Sequence, residues 1–136
     1  MSSFRHIVGL PVLVAVASVA IYGHRNYMDR IPNGYTVPNP CVPGQAWQAS
    51  GHYDYLTESG PVNIFGDDFG GAGHRWTTEL CRMDSDGDGR TNGQELGDPQ
   101  CVWTPGATPQ MNATGHPGVC EPMNSTRCPY DDSICL

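Results

Sequence analysis

Residues 84–95 read DSDGDGRTNGQE. Asp84, Asp86 and Asp88 stand at alternate positions, followed by Gly89, Arg90, Asn92 and Glu95. Short carboxylates two residues apart on a tight turn can reach one point, and a glycine at the sixth place lets the backbone reverse. Arg90 at the seventh place has to offer only its carbonyl. Asn92 at the ninth can hold a water, and Glu95 at the twelfth returns with both oxygens. Each liganding place of a twelve-residue EF-hand-type loop is thus filled by a suitable group, and the chemistry is that of a hard cation held by oxygen, Ca2+. The competing reading is a solvated acidic turn. Carboxylates a few ångströms apart repel by about 1 kcal/mol per pair even in water. A chance aspartate triplet, moreover, does not bring a glycine at six and a glutamate at twelve.

Two departures from a calcium sensor show in the same loop. The eighth place is Thr91, where paired loops carry an aliphatic residue, and the chain has no second loop. The tenth is Gly93, a poor start for a rigid exiting helix. Sensors act by moving that helix to uncover a groove. Cys81 lies three residues before the loop and Cys101 six after it. If the two pair, the bridge ties entering and exiting segments together and blocks such an opening. For a ring of about 20 residues it contributes on the order of 3 kcal/mol. The loop then reads as a structural staple, with an affinity of about 10⁻⁴–10⁻³ M, as in extracellular modules.

The elements that must position this loop are few. In AGHRWTTELCRM, Ala72, Trp76, Leu80 and Met83 recur at helical spacing and predict one helix over 72–83 running into Asp84. GDDFGGAG at 66–73 reads as a flexible approach to it, and QELGDP as one or two turns ended by Gly97 and Pro99. Prolines at 32, 38, 40, 43 and 61 rule out long helix or ladder in the preceding arm, whose bulk is Trp47, Tyr53, Tyr55 and Phe65. Scarce burial argues that Tyr53 and Tyr55 belong to the core. The fold class expected is small, disulfide-rich α+β, largely irregular, with one central helix leading into the loop. A core of this size is marginal without cross-links or metal.

The chain of 136 residues opens with Arg5 and His6 before an uncharged apolar run from Ile7 to Gly23. This is the layout of a secretory signal peptide, cleaved after Gly23 or after Ala20. At 17 residues the run is at the lower edge of a membrane span. A single domain at 24–136, secreted and extracellular, is the resulting expectation, with no membrane attachment of the mature form. Without Arg5 the chain carries six arginines, no lysine and fourteen acidic residues, a net of −8. No basic patch is present for nucleic acid. All six cysteines fall in the mature part, and an even count behind a leader reads as a disulfide framework with fifteen connectivities. Asn112 and Asn124 begin N-glycosylation sequons.

Other chemistries are thinner. His52 and His74 each follow a glycine, and His24 could become an N-terminal amine ligand. Together they are a candidate second metal site, on which a copper-dependent secreted enzyme could be built, although imidazole alone does not select the metal. Packing or turn-capping is the plainer use of these histidines. Adjacent Asp67 and Asp68 point apart, and no nucleophile elbow, H-E-x-x-H or triad signature occurs, so the chain is not read as an enzyme. An extracellular matrix or biomineral-associated protein is a further alternative, weakened by the lack of long acidic runs.

Beyond these motifs, the chain resembles the temptin family. The matching text is IPNG and VPNPC within 31–41, GH at 51–52, AGHRWTTELC at 72–81, DSDGDGRTNGQELGDPQCVW at 84–103 and PG-x-C at 117–120. The resemblance implies a binding protein of a water-borne protein pheromone complex, which associates with a peptide attractant of the attractin type and acts in attraction and mating. It also implies Cys41–Cys120 and Cys81–Cys101 pairing and a mature start near His24. Cys128 and Cys135 lie beyond the matching text and are left, by arithmetic, as a short terminal ring.

Overall fold

Helix occurs in short pieces, three of them begun by an identifiable side-chain cap. A computed structural model describes residues 25–55, 60–128 and 132–135, so the expected leader at 1–23 and His24 lie outside the described residues. The helices are α1 (Arg25–Met28), α2 (Ile64–Gly71), α3 (Thr78–Arg82) and α4 (Asn92–Leu96), with a 3-10 turn at Asp132–Cys135. Strand structure among the described residues is limited to two isolated antiparallel bridges, Pro38 with Ala46 and His52 with Val62. The β part of the expected α+β class is therefore corrected to almost nothing. Prolines at 38, 40, 43 and 61 deny the donors a ladder would need.

The single helix expected over 72–83 is also corrected. Asn63 Oδ1 accepts from Gly66 N at 2.9 Å and starts α2 at Ile64, eight residues earlier, so that it runs through most of the stretch read as a flexible approach. Gly73 (φ +69°) and His74 (φ +55°) then turn the chain through the left-handed region, which no α-helix can contain. Thr77 Oγ1 accepts from Leu80 N at 3.1 Å and begins α3 afresh. The periodic residues meet different fates as a result. Leu80 is buried, Ala72 and Trp76 pack half-buried against the core, and Met83 is 40 % exposed.

Ile31, Val37, Phe65, Phe69, Leu80 and Leu96 form the core, flanked by Tyr27, Ala72 and Trp76. Trp47 is fully buried apart from this cluster, its Nε1–H donating to the carbonyls of Ala49 (3.1 Å) and His52 (3.2 Å). Tyr55 packs against Trp47 with ring centroids 5.5 Å apart, whereas Tyr53, expected in the core, is exposed.

With so little sheet, side chains take over the pairing of backbone groups. Fully buried Asp98 accepts at Oδ1 from Val102 N (2.9 Å) and at Oδ2 from Trp103 N (3.1 Å) and Trp76 Nε1 (2.8 Å). It thereby ties the segment after α4 to the one before α3. Asn33 Nδ2 reaches across the chain to the carbonyls of Leu96 and Met111, each at 2.8 Å.

Disulfides complete the framework. Cys81 is joined to Cys101 across the acidic loop. The other two pairs are Cys41–Cys135 and Cys120–Cys128, which correct the implied Cys41–Cys120 and the Cys128–Cys135 ring expected by arithmetic. The reason is local. Consecutive turns after Cys120 (Ser125 N to Pro122 O at 2.8 Å, Cys128 N to Ser125 O at 3.1 Å) bring Cys128 back to it, with Cα atoms 5.4 Å apart. Cys135 is then left for Cys41. Arithmetic on the leftover cysteines failed because its first pair was different.

Asp98→Ala strands three N–H groups in or near the interior, each costing about 1–3 kcal/mol unless water reaches it. The expected loss in thermal unfolding is about 2–4 kcal/mol, discounted for the part-exposed donors. A loss below about 0.5 kcal/mol, the size of an ordinary surface substitution, would contradict this role for Asp98.

Candidate metal centre

α3 delivers the chain to Asp84, and Asn92 N donates to Met83 O at 2.7 Å, closing the loop at its neck. Inside the neck the aspartates fold the backbone around themselves. Asp84 accepts at Oδ1 from Gly87 N (2.9 Å) and at Oδ2 from Gly89 N (2.8 Å). Asp86 Oδ1 accepts from Asp88 N (3.2 Å), and Asp88 Oδ1 from Arg90 N (2.8 Å). Gly89 sits at φ +97°, a conformation that a side chain rarely adopts, so a glycine is needed there. One carboxylate oxygen from each of Asp84, Asp86 and Asp88 lies within 4.8 Å of the others. Thr91 and Gln94 form a capping box that starts α4, which is the use of the threonine at the eighth place.

α4 returns Glu95 to the loop. Its side chain is 0 % exposed, and neither carboxylate oxygen has a hydrogen-bond partner among the described residues. Asp86 Oδ2 is buried and equally without a donor. Burial, and after it the charges of Asp86 and Asp88, pushes Glu95 up to about 10. Burial and then the charge of Asp88 push Asp86 up to about 8. A carboxylate this far from water must either hold a proton or face a cation. The donor set is all oxygen and mostly anionic, which fits a hard divalent ion such as Ca2+ and offers nothing to a soft one.

The arrangement departs from the expected ligand set at one place. Asn92 is fully buried, and its amide donates to Leu80 O (2.8 Å) and Ser85 Oγ (2.9 Å) while its oxygen accepts from Ser85 N (3.3 Å). It fastens α3 to the loop and is not placed to hold a water on an ion. The Arg90 guanidinium turns outward to Gln94 O (3.3 Å), Thr114 O (3.5 Å) and the Thr114 hydroxyl.

The sequence reading missed Glu121 and His116. Glu121 N donates to Asp88 Oδ2 at 3.4 Å, and its own Oε2 accepts from His116 N at 3.0 Å. Burial first, then the charge of Asp88, raises the Glu121 carboxyl above the usual range. The His116 ring is fully buried with its edge toward Trp47 at 4.6 Å between centroids, and burial lowers it to about 3, so it is neutral. No local spacing links either residue to the loop. Asp98 did carry a signal, since an aspartate before proline at a helix end is a turn former.

His24 lies outside the described residues, and His52 and His74 take other partners. His74 stacks on Tyr27 (4.5 Å between ring centroids, 4° between planes), and His52 Nδ1 lies 3.1 Å from Gly60 O. Both line an apolar pocket with Phe65 and Phe69. Among the described residues the group able to hold a metal is Asp84, Asp86 and Asp88, without either histidine. Asn112 and Asn124 are both exposed.

Between about pH 6.5 and 8 the folded, cation-free chain keeps protons on Asp86 and Glu95 that an unfolded chain with ordinary carboxylates releases. At the lower end of that window the unfolded chain still holds part of a proton on His116, whose ordinary value is 6.5, and this opposing contribution is outweighed by the two carboxylates. Stability measured in chelator should therefore fall as pH rises across it. A melting temperature that holds steady or climbs would contradict the burial of these carboxylates.

Comparison with known proteins adds the family context. The family model described as Temptin C-terminal matches residues 21–119. Temptin from Aplysia californica is 48 % identical over 120 residues, which covers 88 % of this chain and 92 % of that protein. No solved structure matches.

Proposed function

The chain belongs to the temptin family, and from that we propose that it is a secreted, calcium-stabilised binding protein of a water-borne protein pheromone complex. It acts by binding a peptide attractant and is not an enzyme. The observations that carry the calcium part are three converging aspartates and, within reach of their charge, a fully buried Glu95 with no donor on either oxygen. The observation that supports the pheromone part is the extent of the likeness to the Aplysia relative, nearly end to end.

Calcium would be held by Asp84, Asp86, Asp88, the Arg90 carbonyl and Glu95. Its part is to neutralise those charges so that α3, the loop and α4 pack as one body. Cys81–Cys101 closes the same unit from outside and opposes the helix motion a sensor needs. The ion thus organises the surface offered to the partner. The mineral-binding alternative loses support here, because Asp86, Asp88 and Glu95 face inward. The copper alternative loses support because His52 and His74 are taken up in packing and turn contacts.

Calcium about 100-fold above its Kd should stabilise the chain by about 2.7 kcal/mol. Glu95→Gln and Asp84→Ala should remove most of that gain and leave the three disulfides in place, which thermal melts and peptide mapping would check. Equal melting temperatures in calcium and in chelator would rule out the staple. For the partner, the immobilised chain should retain a small secreted peptide from the animal's secretions in millimolar calcium and release it in chelator. Retention of no specific secreted protein in either condition would count against the pheromone reading while leaving the calcium reading intact.

A further inference from the structure

We propose that Glu121 is a ligand of the cation bound by the 84–95 loop, contributed from outside the twelve residues by the Cys120–Cys128 ring. This rests on the calcium reading above.

The Glu121 main chain already touches the loop. Its backbone N–H donates to Asp88 Oδ2 at 3.4 Å, and its charge is felt at Glu95. One of its oxygens accepts from His116 N at 3.0 Å, and that bond leaves the other oxygen free to turn toward an ion. The same ring reaches the loop at another point, where Arg127 Nη1 lies 3.6 Å from the place a side chain on Gly89 would begin. The ring is therefore seated on the loop at Asp88 and at Gly89.

The site has a use for that oxygen. Ca2+ takes six to eight oxygen ligands. In an EF-hand-type loop the ninth place supplies one, often through water, but Asn92 is bound to Leu80, Ser85 and the backbone between them. The unpartnered oxygens of Glu95 and Asp86, both buried, point independently to a ligand in the space these groups surround. Glu121 is the remaining carboxylate whose main chain touches a loop aspartate. It also lies beyond residue 119, where the family match ends. The outside ligand ties formation of the Cys120–Cys128 ring to cation affinity.

The test is Glu121→Gln, which keeps the shape and an acceptor for His116 N but removes the charge. Calcium titration by calorimetry on the full mature chain should show Kd rising about tenfold, in line with ligand charge count setting affinity. Europium luminescence lifetimes in H2O and D2O should show about one more water on the ion than in the parent. Glu121→Asp, which keeps the charge but withdraws the oxygens by one methylene, should show the same added water and keeps the test available if the glutamine variant folds poorly. Unchanged hydration in both variants would overturn the ligand role, even if Kd rises. A parent chain that binds no calcium at all would overturn the calcium reading itself.

Discussion

Carboxylates that converge away from water set the terms for the rest of this molecule. Asp86 and Glu95 are almost completely buried, Asp88 nearly so, and three of their oxygens meet no donor. Without a compensating charge, such a cluster favours a chain that opens and lets water in. With a divalent ion it becomes the strongest local attraction available to a small fold. Everything around the loop is arranged to keep the carboxylates pointing inward. The aspartates fasten their own turn, Thr91 and Gln94 start α4 at the residue that returns Glu95, and Asn92 ties the loop back to α3.

The same economy runs through the fold. The hydrophobic cluster is small, and sheet is nearly absent among the described residues. Backbone groups therefore find partners in buried side chains, Asp98, Asn63 and Asn33 above all. Asn33 to Leu96 and Met111, Asn63 to Ser50 and His52, and Trp76 to Asp98 join segments distant in sequence, a task that strand pairing performs in larger domains. Cys81–Cys101 and the Cys41–Cys135 and Cys120–Cys128 bridges limit how far those segments can separate when the chain is unfolded. Removing the cation would leave a fold held by short contacts and cross-links around a repulsive centre.

How much of this was legible follows from the range of each interaction. The pattern from Asp84 to Glu95 is local, and the three aspartates converge as their spacing leads one to expect. The helix over 72–83 failed at Gly73 and His74, where a tight left-handed turn outweighed a correct apolar period. Asn63 as a cap was readable from chemistry but was hidden by the glycines that follow it. Asn92 matched its place in the motif, yet a buried amide with three nearby backbone and hydroxyl partners satisfies those first. His116, Glu121 and the pairing of Cys41 with Cys135 depend on how the tail folds back over the loop, and no periodicity encodes that return.

If calcium is what joins loop, tail and core, its effect must appear at the residues that carry the joints. Amide hydrogen exchange, followed residue by residue in chelator and in saturating calcium, reads this directly. The account predicts strong slowing over 84–96 and again over 114–121, with lesser slowing at the Asp98 turn. Identical exchange in the two conditions across both stretches would contradict it, and the acidic loop would then be a solvated turn.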